Sequence, residues 1–109
     1  MFYDPSLKPT ISPVVELEPW RQWLLTAAEM IARYGHCKHA MYHEDGRMCL
    51  YGALQKAQPL FSNASIYRIT DALSKVTHVT SAHDLIAWND RPERTKEEVI
   101  NALREAASI

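Results

Sequence analysis

Hydrophobic residues recur with a helical period along most of the chain, beginning at residue 19. Pro19 suits the first turn of a helix and Gly35 suits the position just past its end, because glycine adopts positive φ easily. Between them, apolar residues repeat at i, i+3, i+4, i+7 and i+8, which predicts one buried face. That face is predicted to hold Trp20, Trp23, Leu24, Ala27, Ala28, Ile31 and Tyr34.

Two shorter helices follow in the predicted pattern. The second spans about 49–57, where Gly52 allows another backbone to approach closely. The third spans about 63–76 and begins at Asn63 as its N-cap, since an asparagine side chain accepts hydrogen bonds from free amides at a helix start. The predicted buried faces are Leu50, Ala53, Leu54 and Ala57, and then Ile66, Ile69, Ala72, Leu73 and Val76.

The last two helices begin at capping sequences. Ser81 followed by Asp84 resembles a capping box, and it opens a short helix that ends near Trp88. Thr95 and Glu98 form the complete capping-box pattern of the fifth helix. The residues predicted to be buried are Ala82, Leu85, Ile86 and Trp88 in the fourth helix, and Val99, Ala102, Leu103 and Ala106 in the fifth.

The N-terminal segment, residues 1–18, lacks this helical period. Its prolines fix φ and remove backbone donors, so they predict an extended arm. The apolar residues of the arm either pack along the domain or bind a partner, and packing is the favoured interpretation. The prolines are Pro5, Pro9 and Pro13.

The segment between the first two helices also departs from the helical pattern. Asp45 and Gly46 favour a tight turn, which predicts a short β-hairpin with arms at about 39–43 and 47–50. The chain is therefore predicted to be an extended arm, 1–18, followed by a single domain, 19–109. That domain is expected to be mainly all-α, a compact bundle of about five helices with at most this hairpin.

The net charge of the chain disfavours nucleic acid as a partner. Twelve basic and thirteen acidic side chains give a net charge of −1 over 109 residues, so no broad basic field attracts phosphate backbones. The third and fourth helices match a helix-turn-helix in number, but a recognition helix beginning Ala82-His83-Asp84 offers few contacts to DNA. A small DNA-binding regulator is therefore an alternative and not the favoured function.

Apolar runs and cysteine content indicate the compartment. No apolar stretch approaches the 18 or more residues of a membrane span, and the charged, proline-containing N-terminus does not resemble a signal peptide. Two cysteines without a secretory signal are expected to be reduced thiols. We expect a cytoplasmic protein with no membrane partner.

Residues 36–49 hold the densest group of reactive side chains. Cys37, His39, His43 and Cys49 supply in number the ligands of a Cys2His2 zinc site. Their spacing lacks the paired Cys-x-x-Cys of structural zinc sites, so surface histidines and small buried thiols are the favoured interpretation. No cofactor is predicted, and zinc is the alternative.

Cys49 also carries a catalytic hypothesis. At a helix N-terminus the free amides and the helix dipole lower the pKa of a thiol, as in thiol enzymes. The base would be His78, or His83 with Asp84, although nothing in the sequence brings them together. The favoured interpretation is that Cys49 fills a core position beside Leu50 and Ala53.

A candidate binding cluster lies where the fourth helix ends, at Trp88, Asn89, Asp90 and Arg91. In the favoured, structural interpretation, Trp88 anchors the core and Asn89 is the left-handed cap. Asp90 and Arg91 then interact locally, and the proline that follows stops the helix.

Several of these segments together resemble a known family. They are the run 48–54 (MCLYGAL), 88–90 (WND), Arg94-Thr95 before Glu98-Val99, and 27–31 (AAEMI) with its terminal glycine. In order and spacing they are similar to a functionally uncharacterised family of small proteins from actinobacteria and their phages, over residues 20–107. The resemblance implies a small accessory protein acting on a host component, in the host cytoplasm if a phage encodes it.

These observations favour a non-enzymatic protein-interaction protein. Three tryptophans and five tyrosines exceed what one small core needs, so contacts through the arm, the first helix or the Trp88 cluster are expected. A symmetric homodimer would also cover aromatic surface. The competing class is a thiol- or zinc-dependent enzyme centred on residues 36–49.

Overall fold

Five α-helices form the domain in the computed structural model, which describes residues 17–109. They are α1 (Pro19–Tyr34), α2 (Leu50–Ala57), α3 (Ile66–Thr77), α4 (Ala82–Asp90) and α5 (Lys96–Ala107), and a 3-10 turn (Gln58–Phe61) extends α2. The predicted helical bundle is confirmed. The predicted arm lies outside the described residues except for its last two positions. Within the described range, no helix is both long and apolar enough to cross a membrane.

The first helix has the predicted bounds and nearly the predicted face. Gly35 follows it at φ 102°, and its amide donates to the carbonyl oxygen of Ile31. Tyr34 was predicted to be buried, and that is wrong, because its side chain is 53% exposed. It stands beside an open groove, where none of the five described helices covers it. The residues buried on α1 are Trp20, Trp23, Leu24, Ala27, Ala28 and Ile31.

The core forms where α1 packs against α5 and α2, while α3 packs mainly on α5. Trp23 is buried, and its indole N–H donates to the carbonyl oxygen of Leu54 at 2.7 Å, which ties α1 to α2. Burying apolar area against neighbouring helices supplies most of the stability of helices this short. The other large, fully buried side chains include Leu24, Ile31, Leu50, Ile69, Leu73, Val99 and Leu103.

The start of α3 differs from the prediction. Ser65 is its N-cap and accepts a hydrogen bond from the amide of Tyr67. Asn63 lies in the turn that follows the 3-10 segment, so it caps nothing. Ile66 is then the first residue of the helix and is 40% exposed, not buried as its spacing predicted.

The last two helices keep their predicted caps. Ser81 accepts from the amide of Asp84, and Thr95 with Glu98 forms the complete capping box. However, α4 continues two residues past Trp88, so Asn89 is not its left-handed cap. Arg91, at φ −56° and ψ 137°, is the C-cap. The proline after it favours this extended backbone.

The segment between α1 and α2, residues 35–49, is here called the connector. Its predicted turn is present: Gly46 has φ 98° and its amide donates to the carbonyl oxygen of His43. The predicted β-hairpin is wrong, because the connector forms no strand and pairs only through isolated bridges. Met48 pairs with His36 in parallel and with Tyr42 in antiparallel fashion, so it joins two segments and extends neither ladder.

Candidate functional site

Asn89 links three parts of the fold from a fully buried position. Its Oδ1 accepts from the amide of Leu50 at 3.0 Å and from His36 Nε2 at 2.6 Å. Its Nδ2 donates to the carbonyl oxygen of Cys37 at 3.2 Å and to Asp90 Oδ1 at 3.0 Å. A buried amide with every polar atom paired fixes the elements that it joins. Asn89 therefore holds the connector and the start of α2 against the end of α4.

The same contacts define the tautomer and the protonation state of His36. Asn89 Oδ1 faces the Leu50 N–H, so it is an acceptor, and His36 Nε2 must carry the proton that it donates. Burial lowers the pKa of His36 below its ordinary value of 6.5, although the hydrogen bond to Asn89 acts in the opposite direction. His36 is therefore a neutral donor in the fold at neutral pH.

Asp90 and Lys38 fasten the connector from the outside. Asp90 Oδ1 accepts from the amide of His39 at 2.9 Å, and Lys38 Nζ donates to the carbonyl oxygen of Arg91 at 2.6 Å. Partial burial tends to raise the pKa of Asp90, but hydrogen bonds from His39 and Asn89 outweigh it and lower the pKa. These polar side chains hold the connector in place.

The connector also lies directly on α2. Cys49 is the N-cap of this helix, and its amide donates to the carbonyl oxygen of Met41 at 3.0 Å. A Cβ added at Gly52 would overlap that same oxygen, so only glycine permits this approach. The prediction that Gly52 admits another backbone is confirmed.

A groove of about 380 Å³ opens between the end of α1, the connector and α2. Tyr34 and Tyr42 are exposed within it. The Tyr42 hydroxyl donates to Gln55 Oε1 at 2.9 Å, which fixes this side of the groove to α2. We call it the tyrosine groove, lined by Met30, Tyr34, Tyr42, His43, Gly46, Met48 and Lys56.

Two cations lie over the aromatic rings of the tyrosine groove. Lys56 Nζ is 5.6 Å from the ring centroid of Tyr42, and the Arg33 guanidinium is 5.8 Å from that of Tyr34. None of the described residues that line it is acidic. The groove therefore combines an apolar, polarisable lining with positive charge at its tyrosines.

The candidate zinc ligands are divided between interior and surface. Cys37 and Cys49 are buried, whereas His39 and His43 are exposed. Between residues 17 and 109, no three His, Cys, Asp or Glu side chains are grouped so that they could hold a metal ion. The placement of these four residues thus gives the zinc alternative no support.

The candidate catalytic residues are not joined by any hydrogen bond found in the described part of the chain. Cys49 is 2% exposed, while His78, His83 and Asp84 lie on the surface. Burial raises the pKa of the Cys49 thiol, against the lowering effect of hydrogen bonds from Gly52 and neighbouring amides. A nucleophilic thiol needs the opposite shift.

The side chains of the candidate cluster at the end of α4 mostly make contacts within the fold. Trp88 is half-buried and the Arg94 guanidinium lies 3.8 Å from its ring centroid. Arg94 also donates to the carbonyl oxygen of Trp88, while Arg91 is exposed near Glu93. Of the four predicted binding residues, Asn89 and Asp90 hold the connector, and only Arg91 is largely accessible.

Sequence reasoning did not identify the tyrosine groove. The one signal was Tyr34, which continued the apolar period of α1 but has a polar hydroxyl suited to a partly wet position. Tyr42, Met48 and Lys56 gave no local signal, because their meeting depends on how the connector folds back.

Comparison with known proteins gives a family match. A family model described as a family of unknown function, DUF6197, matches residues 16–109. No curated protein and no solved structure is similar to the chain. Two stretches that carried the family resemblance, 48–54 and 88–90, meet in the structure through the hydrogen bond from Leu50 to Asn89.

Proposed function

The chain belongs to the family of unknown function DUF6197, and we propose that it is a non-enzymatic protein-interaction protein whose contact surface is the tyrosine groove. Membership confirms the resemblance seen in the sequence. An origin in actinobacteria or their phages stays a prediction. If a phage encodes the chain, the partner is a host protein in the host cytoplasm.

The observation that carries the proposal is the tyrosine groove itself. Its volume of about 380 Å³ lies within the range of ligand sites, and it admits one or two side chains of a partner. Tyrosine and methionine are enriched at protein interfaces because they offer large contact area and adapt their shape. Tyr34 and Tyr42 are exposed there, so no part of the described fold covers them.

The shape of the groove depends on the Asn89 contacts described above. The connector supplies Tyr42, His43, Gly46 and Met48 to the groove. Asn89 and Asp90 hold the connector from its other side, through Cys37 and His39. A binding surface held in advance loses less entropy when a partner docks. The buried polar network thus supports binding without touching the partner.

The alternative functions receive less support from the geometry. A thiol enzyme requires an accessible thiolate, whereas Cys49 is buried and its pKa is raised. A DNA-binding regulator requires free cations on its recognition helix, but α4 begins Ala82-His83-Asp84 and carries no lysine or arginine. We retain protein binding as the proposed function.

Affinity capture tests the proposal. The full chain is immobilised and exposed to a lysate of the organism that encodes it, beside Tyr34→Ser/Tyr42→Ser and the matched control Tyr67→Ser. Tyr67 is 81% exposed and lies outside the groove. The wild type and Tyr67→Ser should retain the same partner, and the groove variant should lose it. Circular dichroism must show that all three are equally folded.

Two results would overturn the proposal. Equal capture by the groove variant would place the contact elsewhere, and a chain lacking residues 1–16 identifies a contact through the arm. If sedimentation shows a wild-type dimer that the groove substitutions dissociate, the occupant is a second copy of this chain. Either result refutes binding of a partner protein in the tyrosine groove.

A further inference from the structure

We propose that the partner segment bound by the tyrosine groove presents an apolar side chain next to a carboxylate. This inference rests on the proposed function and specifies its partner. The apolar side chain would pack on Met30 and Met48 between the two tyrosines. The carboxylate would lie beside Lys56 and Arg33, the cations placed over the tyrosine rings.

The charge distribution singles out these two cations. Seven of the eleven lysines and arginines between residues 17 and 109 have a carboxylate within 4.0 Å. Arg33 and Lys56 have none among the described residues, although each lies at a tyrosine that lines the groove. Of the other two unpaired cations in this range, Lys38 donates to two backbone carbonyl oxygens, and Lys96 begins α5 and does not line the groove. The groove therefore has positive charge that the described fold leaves uncompensated.

The lining of the groove favours the same ligand. Among residues 17–109 it contains no carboxylate, so an incoming anion meets no repulsion from these lining residues. Asp45, on the neighbouring turn, is already occupied, because its carboxylate accepts from the amide and guanidinium of Arg47. Like charges across an interface are costly and opposite charges set its specificity. A cationic partner segment is accordingly disfavoured.

Two peptides that differ in one atom group provide the test. Acetyl-Gly-Phe-Glu-amide carries the carboxylate, and acetyl-Gly-Phe-Gln-amide is its neutral match. Each is titrated into the full chain labelled at methionine methyls, and Kd is read from the shifts of Met30 and Met48. Met41 is the internal control, since it does not line the groove. The Glu peptide should bind about three-fold more tightly, the effect of one exposed ion pair.

Substitutions of Arg33 and Lys56 test whether these cations cause the preference for the Glu peptide. Arg33→Gln/Lys56→Gln should bring the ratio of the two Kd values to one, and Lys56→Arg should preserve it. Lys75→Gln, an exposed lysine on α3 paired with Asp71, should leave the ratio unchanged.

The outcomes separate this inference from the proposed function. Equal Kd values for the two peptides in the wild type would refute the acidic preference and leave the groove as a binding site. A preference that survives in Arg33→Gln/Lys56→Gln would refute the assignment to these cations. If neither peptide shifts Met30 and Met48, the inference fails, while capture by the wild type and by Tyr34→Ser/Tyr42→Ser decides the proposed function separately.

Discussion

Replacing Asn89 with alanine tests the buried polar network that positions the connector. The change removes an amide with no solvent exposure and with four hydrogen bonds. Two of its partners are buried backbone groups, the amide of Leu50 and the carbonyl of Cys37. Alanine cannot reach either group, so both lose their partner in the interior.

The magnitude follows from those two groups. A buried backbone donor or acceptor left without a partner costs about 1–3 kcal/mol, so Asn89→Ala should lower the free energy of unfolding by about 3 kcal/mol. A domain of this size is stable by only about 5–15 kcal/mol in total. The corresponding fall in melting temperature is about 12 °C.

Urea unfolding followed by tryptophan fluorescence and by circular dichroism measures the effect. The midpoint should fall at an unchanged m value, which shows that stability and not the denatured state has changed. Asn101→Ala is the matched control, because Asn101 is also helical but exposed. It should stay within about 0.5 kcal/mol of wild type. An Asn89→Ala variant as stable as Asn101→Ala would refute the reasoning.

Three further predictions concern the same framework. Gly52→Ala should lower the free energy of unfolding by about 2 kcal/mol, because the added Cβ overlaps the Met41 carbonyl oxygen. Burial lowers the pKa of His36, so the unfolded state binds a proton first and wild-type stability falls as the pH drops below 6.5. His36→Gln should make that pH dependence shallower in a urea series. Thr95→Ala should cost about 1 kcal/mol in thermal unfolding, because the capping bond to the Glu98 amide is lost.

Each of these variants has a control. Gly46→Ala meets no neighbouring atom within 4 Å, so it should cost only the strain of its positive φ, about 1 kcal/mol. A larger loss of unfolding free energy for Gly46→Ala than for Gly52→Ala would contradict the close approach of the Met41 carbonyl to Gly52. His83→Gln, on the exposed face of α4, should leave the urea midpoint at neutral pH unchanged. Thr80→Ala, at an exposed position before α4, should leave the melting temperature unchanged. An equal fall in melting temperature for Thr80→Ala and Thr95→Ala would refute the stabilising role of the Thr95 cap.

Much of the helical fold could be predicted because its signals are local. Thr95 caps α5 through residues only three positions away, and Pro19 and Gly35 mark the ends of α1 within a turn. The helical period identifies the inward face, but it does not say how far along the helix a neighbour covers that face. Tyr34 continues the period and nevertheless lies at an open groove.

The candidate site escaped prediction because its contacts are distant in sequence. Asn89 precedes Asp90, Arg91 and a proline, a sequence typical of a helix end, so a cap was the natural prediction. Three of its four hydrogen-bond partners lie 39 to 53 residues away. The Asp45-Gly46 turn was likewise predicted correctly, but the hairpin was not, because Met48 forms isolated bridges with both His36 and Tyr42 and no continuous ladder. Local patterns carry no information about such pairings.

The claim that the tyrosine groove is the contact surface is tested most directly by NMR of the methionine-labelled chain with the captured partner protein. The methyl signals of Met30 and Met48 should shift or broaden until the partner saturates the chain, while that of Met41 stays in place. Saturation by the partner with the Met30 and Met48 signals unchanged would contradict the account.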